Sequence, residues 1–192
     1  MAFRKEAILD AARLIFEAEG YFNATMAQIA SRAEFGVGTL YQFFSGKPNL
    51  FVEVILKGIE QYKQGLQESI AAKTSWQDEL TGFIEYYLTW VEDNPDFHRL
   101  IYEIFYLPIP DLSSRIFEVF KNTHTENLTL IRNIFSHANK DAALFDPDLM
   151  SLMVLGMMQV IGDNWFLGIL NKRPTEYIAG ITGLILGGKS LE

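Results

Sequence analysis

The sequence predicts an all-α protein of about nine helices, an N-terminal three-helix helix-turn-helix head followed by a C-terminal helical bundle. Three observations predict it. Apolar residues recur at three- and four-residue spacing along nearly the whole chain. Ser, Thr, Asp, Gly and Pro stand where such runs begin and stop. No segment alternates apolar and polar residues as a half-buried strand would. An apolar share of 49% over 192 residues is enough for a sizeable core and excludes a disordered chain.

The first helix is carried by Ile8, Ala11, Ala12, Ile15 and Phe16, which share one face, and Gly20 is expected to cap it in a left-handed conformation. Thr25-Met26-Ala27-Gln28 has the pattern of a capping box. It opens a short second helix with Met26, Ile29, Ala30 and Ala33 inward. Glu34-Phe35-Gly36 is the turn, and the third helix runs to about Phe44. Gly46-Lys47-Pro48 starts a fourth helix to about Ala72, with Leu50, Phe51, Val54, Ile55, Ile59 and Tyr62 inward. Ser75 caps a fifth, which ends near Asn94-Pro95. A sixth spans about Asp96 to Leu107, stopped by Pro108 and Pro110. The seventh, Asp111 to His137, aligns Leu112, Ile116, Phe120, His124, Leu128, Ile131 and Phe135 on an expected buried face. Asp146-Pro147 opens an eighth to about Leu170, and Pro174 a ninth to Gly187-Gly188.

Composition excludes several functions. No cysteine is present, so there is no disulfide framework, thiolate zinc site or thiol catalysis, which fits a cytoplasmic protein. The three histidines are dispersed, so no metal is expected. No nucleophile–base pair or phosphate loop appears, so no enzyme and no cofactor are expected. The first residues do not read as a signal peptide, because Asp10 and Glu17 interrupt the apolar positions. Leu149 to Leu170 is the most apolar stretch, but Gln159, Asp163 and Asn164 within it argue for a buried helix of a soluble protein, not a membrane span. The net charge of −8 belongs wholly to residues 51–192; in residues 1–50 Arg4, Lys5, Arg13, Arg32 and Lys47 balance Glu6, Asp10, Glu17, Glu19 and Glu34.

The segment from Thr25 to Lys47 points most directly at a function. Two short helices joined by a tight turn, the second with small and polar groups on one side and bulky apolar ones on the other, suit a helix that lies in a DNA groove. The register of Phe22-Asn23-Ala24-Thr25-Met26-Ala27-Gln28-Ile29-Ala30, then Ala33, Gly38-Thr39-Leu40-Tyr41, Phe43-Phe44, Lys47 and Leu50, resembles the DNA-binding head of the TetR family over about residues 5–55. The remainder matches only in architecture. The resemblance implies a homodimeric transcriptional regulator, usually a repressor released from a near-palindromic double-stranded operator by a small molecule. It divides the chain into a DNA-binding domain, residues 1–47, and a ligand-binding and dimerisation domain, residues 48–192. Two departures stand out: Glu34 replaces the family's turn glycine, and Gly36-Val37 replaces a capping serine and a polar residue.

Within the head, Thr39 lies where its hydroxyl or methyl meets a base or phosphate, and Gln42 can pair with adenine. Val37 and Phe43 can touch a thymine methyl or sugar edge, and Thr25 can bond phosphate as well as cap. Tyr41 and Lys47 resemble the family tyrosine and lysine that contact phosphates. Phe44 and Leu40 read as core, and Arg32 as a solvent-facing residue.

Aromatic and Met residues crowd the second part. Phe83, Tyr86, Tyr87, Trp90, Tyr102 and Phe105 are candidates to line a pocket for an apolar or aromatic effector, along with Phe117, Phe120, His124, Met157 and Trp165. For any single one of them, ordinary core is the commoner role. Small residues in the last two helices, with Leu152, Leu155, Gly156, Ile178, Ile181 and Leu184, suggest a four-helix interface between two copies. The fourth helix would link effector to head. A helical carrier or sensor of lipid-like molecules, with a head that no longer binds DNA, is the alternative that the neutral head leaves open.

Overall fold

The computed structural model describes residues 2–106, 110–138 and 146–187, with side chains described for 3–101, 114–138 and 146–187. Among the described residues there are helices and turns but no strand. In chain order the helices are α1 (Ala2–Asn23), α2 (Met26–Arg32), α3 (Val37–Phe43), α4 (Lys47–Ala71), α5 (Trp76–Asp93), α6 (Pro95–Tyr106), α7 (Pro110–Ala138), α8 (Pro147–Phe166) and α9 (Ile178–Leu186), with a short 3-10 turn, Pro174–Tyr177, before the last. They fall into two compact units. The first is Met1–Gln61 with Asp96–Phe120, and the second is Tyr62–Pro95 with Lys121–Glu192. Helices α4 and α7 supply residues to both.

The first unit is built on the faces that the spacing indicates. Ile8, Ala12, Phe16, Ile29, Ala30, Leu40, Leu50, Phe51, Val54 and Ile55 are buried together, with Phe97, Leu100 and Ile116 from α6 and α7. The Phe16 ring meets Phe51 edge-on at 4.8 Å. α1 breaks at Gly20, whose φ of 74° and ψ of 168° lie in a region open only to glycine, rather than in the left-handed helical conformation. The start of α6 is fastened to α1 within this unit. Arg13 lies over the Phe97 ring at 5.0 Å and pairs with Glu17 at 2.7 Å, while Arg99 donates to the Glu17 carbonyl.

In the second unit the core is Tyr62, Leu66, Leu80, Phe83, Ile84, Leu88, Ile131, Ile134, Phe135, Val154, Leu155, Met158 and Ile181. Ser75 caps α5, accepting from the Asp78 amide at 3.1 Å, and Asp146 caps α8 through the Asp148 amide at 2.9 Å. Glu92 accepts from the Thr175 amide at 3.2 Å and hydroxyl at 2.7 Å, which fixes the turn that leads into α9.

Three further expectations are corrected. α8 ends at Phe166, not near Leu170, because Gly168 takes φ 71° and the Ile169 amide reaches back to the Asn164 carbonyl at 2.8 Å, closing the helix. α8 is long and apolar enough to cross a membrane by length and composition, yet it is buried on one face only: Leu149, Leu152, Met153 and Val160 are exposed. His124 is exposed, not buried. Steps of four residues advance about 40° round a helix each time, so a line through Ile116, Phe120 and His124 drifts off the buried side. Asn127 takes the inward place instead.

Candidate nucleic-acid interface

The head's local geometry begins at Thr25. Its hydroxyl accepts from the Gln28 amide at 3.2 Å, and the Gln28 side-chain oxygen accepts from the Thr25 amide at 2.8 Å and hydroxyl at 2.7 Å. This is the capping box that the sequence indicates. At the other end of α2, the Phe35 amide donates to the Ala30 carbonyl at 3.0 Å and the Glu34 amide to the Ser31 carbonyl at 3.2 Å. This Schellman closure puts Glu34 in the left-handed region at φ 59°. The residue that replaces the family glycine therefore stands where glycine is favoured.

α3 follows with Gly36 at its N-cap and no side-chain cap, as the missing serine implies. Leu40 and Phe44 are fully buried and pin the helix to the core. Tyr41 and Gln42 between them, and Val37 before them, turn outward. Tyr41 is 55% exposed, Val37 39% exposed, and Gln42 is exposed beside them. Thr39 is half-buried. Phe43 is also half-buried, packed on the core with its ring 6.4 Å from Phe44, and so offers less surface than the other positions. Positions that a Cβ on Gly36 or Gly38 would take are open, so the outer side of α3 is unobstructed.

Several cations of the first unit are paired within it. Lys5 pairs with Glu53 at 3.0 Å, and Lys57 with Glu6 at 2.5 Å and Asp10 at 2.7 Å. Partial burial works against the charge of Lys57, but these two carboxylates outweigh it and raise its pKa. Lys47 donates to three backbone carbonyls, of Tyr21, Phe22 and Ala24, an arrangement that the spacing of residues did not reveal. Arg4 and Arg32 are exposed.

The proposed pocket residues fall in both units. Phe83 is fully buried core. Tyr86, Tyr87 and Trp90 are half-buried and lie round Tyr62 at ring separations of 5.8, 6.3 and 5.7 Å. Met157 and Trp165 are half-buried in the same unit. His124 is exposed, its Nδ1 3.1 Å from the Gln159 amide. Phe117, 53% exposed, and the half-buried Phe120 belong to the first unit. The side chains of Tyr102 and Phe105 lie outside the described residues.

Sequence reasoning missed the polar centre of the cluster. Buried Asn127 donates to the Tyr62 hydroxyl at 3.1 Å. Its one sequence signal was an amide four residues before Ile131 on an apolar helix face. Burial, with Tyr87 beside it, raises the Tyr62 phenol's pKa well above its ordinary value against the opposing hydrogen bond from Asn127. Burial likewise raises that of Tyr87, with Asp163 adding to the effect.

Among the intended interface residues, Leu152 is 57% exposed and Leu184 71% exposed, whereas Leu155 and Ile181 point into their own unit's core. Gly156 and Ile178 are half-buried, and the place of a Cβ on Gly156 is empty.

Residues 8–54 match the family model described as bacterial regulatory proteins, tetR family. The chain is 24% identical over 182 residues to the HTH-type transcriptional activator FasR of Mycolicibacterium smegmatis, covering 95% of this chain and 80% of that one. The fold is similar to FadR of Bacillus subtilis, solved in complex with stearoyl-CoA, at a TM-score of 0.75 and 18% identity over 95% of this chain and 98% of that one. It is also similar to AibR, solved with isovaleryl coenzyme A and operator DNA, at a TM-score of 0.68 and 18% identity over 94% and 97%. The matched segment, with its capped α2 and outward-facing α3, is therefore a DNA-binding domain of the tetR family of bacterial regulatory proteins, in a chain similar along most of its length to HTH-type transcriptional regulators.

Proposed function

We propose that the protein is a cytoplasmic homodimeric repressor, released from a near-palindromic operator when an apolar small molecule, an acyl-CoA in the first instance, enters its second part. One observation carries the DNA reading. α3 is pinned by buried Leu40 and Phe44 while Val37, Tyr41 and Gln42 face out. Gln42 reads a base edge, Thr39 and Val37 lie at the groove, Tyr41 and Thr25 bond phosphates, and Phe43 steadies the helix from beneath. Residues 1–47 perform this recognition, and residues 48–192 bind effector and pair the subunits.

The acyl-CoA class is supported by two proteins of similar fold that were solved with such ligands. The aromatic residues round Tyr62, with Met157, suit an apolar chain beside a few hydrogen-bonding groups. Pairing of two copies is supported by the apolar stripe of Leu149, Leu152, Met153 and Val160 on α8 and by Leu184 on α9. The effector shifts the equilibrium between DNA-competent and released dimers only by its difference in affinity for the two.

The test uses the purified full chain and a duplex spanning the DNA upstream of its own gene. Salt-dependent binding is expected, weakened about tenfold or more by Gln42→Ala, and lost on adding a long-chain acyl-CoA. Tight acyl-CoA binding by a protein with no salt-dependent affinity for the duplex would instead make it a carrier or sensor.

A further inference from the structure

We infer that Lys47 is a positioning residue of the head, a three-pronged clip on the turn between α1 and α2, and that it reaches DNA through the helices it places rather than by its own contact with a phosphate. The inference rests on the DNA-binding reading above.

Lys47 is the first residue of α4. A cation there meets the positive end of the helix dipole, so the position needs a compensating partner. The structure supplies one. Nζ donates to the carbonyl of Tyr21 at 2.8 Å, of Phe22 at 3.1 Å and of Ala24 at 2.8 Å. An ammonium has three protons, and all three are engaged. The same Nζ lies 4.7 Å from the centre of the Tyr21 ring, which attracts it further.

Those carbonyls belong to the chain just after the break at Gly20. Carbonyls at the end of a helix lack partners within it, and a cation is the charge that the negative end of a helix favours. Lys47 therefore satisfies acceptors that would otherwise be left to solvent. The residue that follows the last of them is Thr25, the cap of α2. Fixing Tyr21 to Ala24 fixes the direction in which α2 starts, and through the tight closure at Glu34 the direction of α3. Burial lowers the ammonium's pKa, as expected of a group enclosed by protein. A phosphate contact would draw it out of this cage at the cost of bonds already made.

Arginine separates the two roles. It keeps the charge and suits phosphate oxygens well, but its planar fork cannot aim three donors at three converging carbonyls. The experiment measures affinity for the duplex named above across a range of salt, with full-length wild type, Lys47→Arg and Lys47→Met. The clip predicts that both variants bind about tenfold or more weaker, with the wild-type slope of log affinity against log salt. Restoration of wild-type affinity by Lys47→Arg overturns it. So does a slope in Lys47→Met shallower by about 0.9 for each protomer, the signature of one lost phosphate contact. A second measurement does not depend on the variants folding: NMR of the wild-type Lys47 ammonium, free and on the duplex. Couplings to the three carbonyl carbons that persist on DNA support the clip; their replacement by a coupling to phosphorus overturns it. A wild type that does not bind the duplex overturns the functional reading itself, an outcome distinct from either of these.

Discussion

The Tyr86 hydroxyl occupies the space that a Cβ on Gly65 would fill, with the ring carbon behind it 2.6 Å from that point. The ring of an α5 residue is therefore seated in a notch of α4 that only glycine leaves open. Gly65→Ala gains about 1 kcal/mol of helix propensity. It must also displace a rigid ring whose neighbours Tyr62 and Trp90 lie 5.8 and 6.2 Å away, and overpacking of this kind costs about 1–3 kcal/mol. The expected outcome is a net loss of stability in urea titration, reversed when Tyr86→Leu is added. An alanine variant that is more stable than wild type would show that Tyr86 is free to leave the notch.

Glu34 holds a left-handed conformation at φ 59°. Such a conformation costs an L-residue with a Cβ about 1 kcal/mol, and the two backbone bonds that close α2 keep it in place. Glu34→Gly is expected to raise the melting temperature, with a gain of about 0.5–1 kcal/mol after the added freedom of the unfolded chain is deducted. Glu34→Ala should give no such gain, since alanine keeps the Cβ. A glycine variant that melts lower than wild type would contradict the strain.

The phenols of Tyr62, Tyr86 and Tyr87 all have pKa values raised in the folded state, chiefly by burial. In the unfolded chain they ionise near pH 10, roughly the ordinary value for tyrosine. Above that pH the unfolded state holds fewer protons than the folded one, so stability falls as pH rises and is unaffected by these groups below it. Lys57, held charged by Asp10 and Glu6 despite its partial burial, adds to the loss at still higher pH. Denaturant titrations at a series of alkaline pH values are expected to show the decline. Tyr62→Phe should make it shallower while costing about 1–3 kcal/mol at neutral pH, because the Asn127 amide loses its acceptor. A decline of unchanged steepness in that variant would remove Tyr62 from the account.

Much of the fold is legible in the chain because its signals are local. Thr25 and Gln28, three residues apart, make the capping box, and the missing glycine at position 34 announces the strained turn. The outward side of α3 follows from the burial of Leu40 and Phe44 at helical spacing. What the sequence leaves open is settled where distant segments meet. His124 stands in an apolar line on paper, but the helix drifts and Asn127 is buried in its place. Leu155 and Ile181, apolar residues beside small ones, turn into their own core, while Leu152 and Leu184 stay exposed. Lys47 has partners 23 to 26 residues away, which no short-range pattern reveals.

By itself, the sequence determined an all-helical chain with a TetR-like head, since caps, turns and apolar periodicity act within a few residues of one another. It also placed the acidic surplus outside that head. Only the tertiary structure decided which side chains spend their hydrogen bonds on the protein itself. The ammonium of Lys47 is held by three carbonyls, the amide of Asn127 by Tyr62, and the carboxylate of Glu92 by Thr175. The physical reason is that a donor's partners are set by convergence in space of segments far apart in the chain. That convergence depends on how the faces pack, and hydrophobic spacing specifies the faces without specifying what meets them.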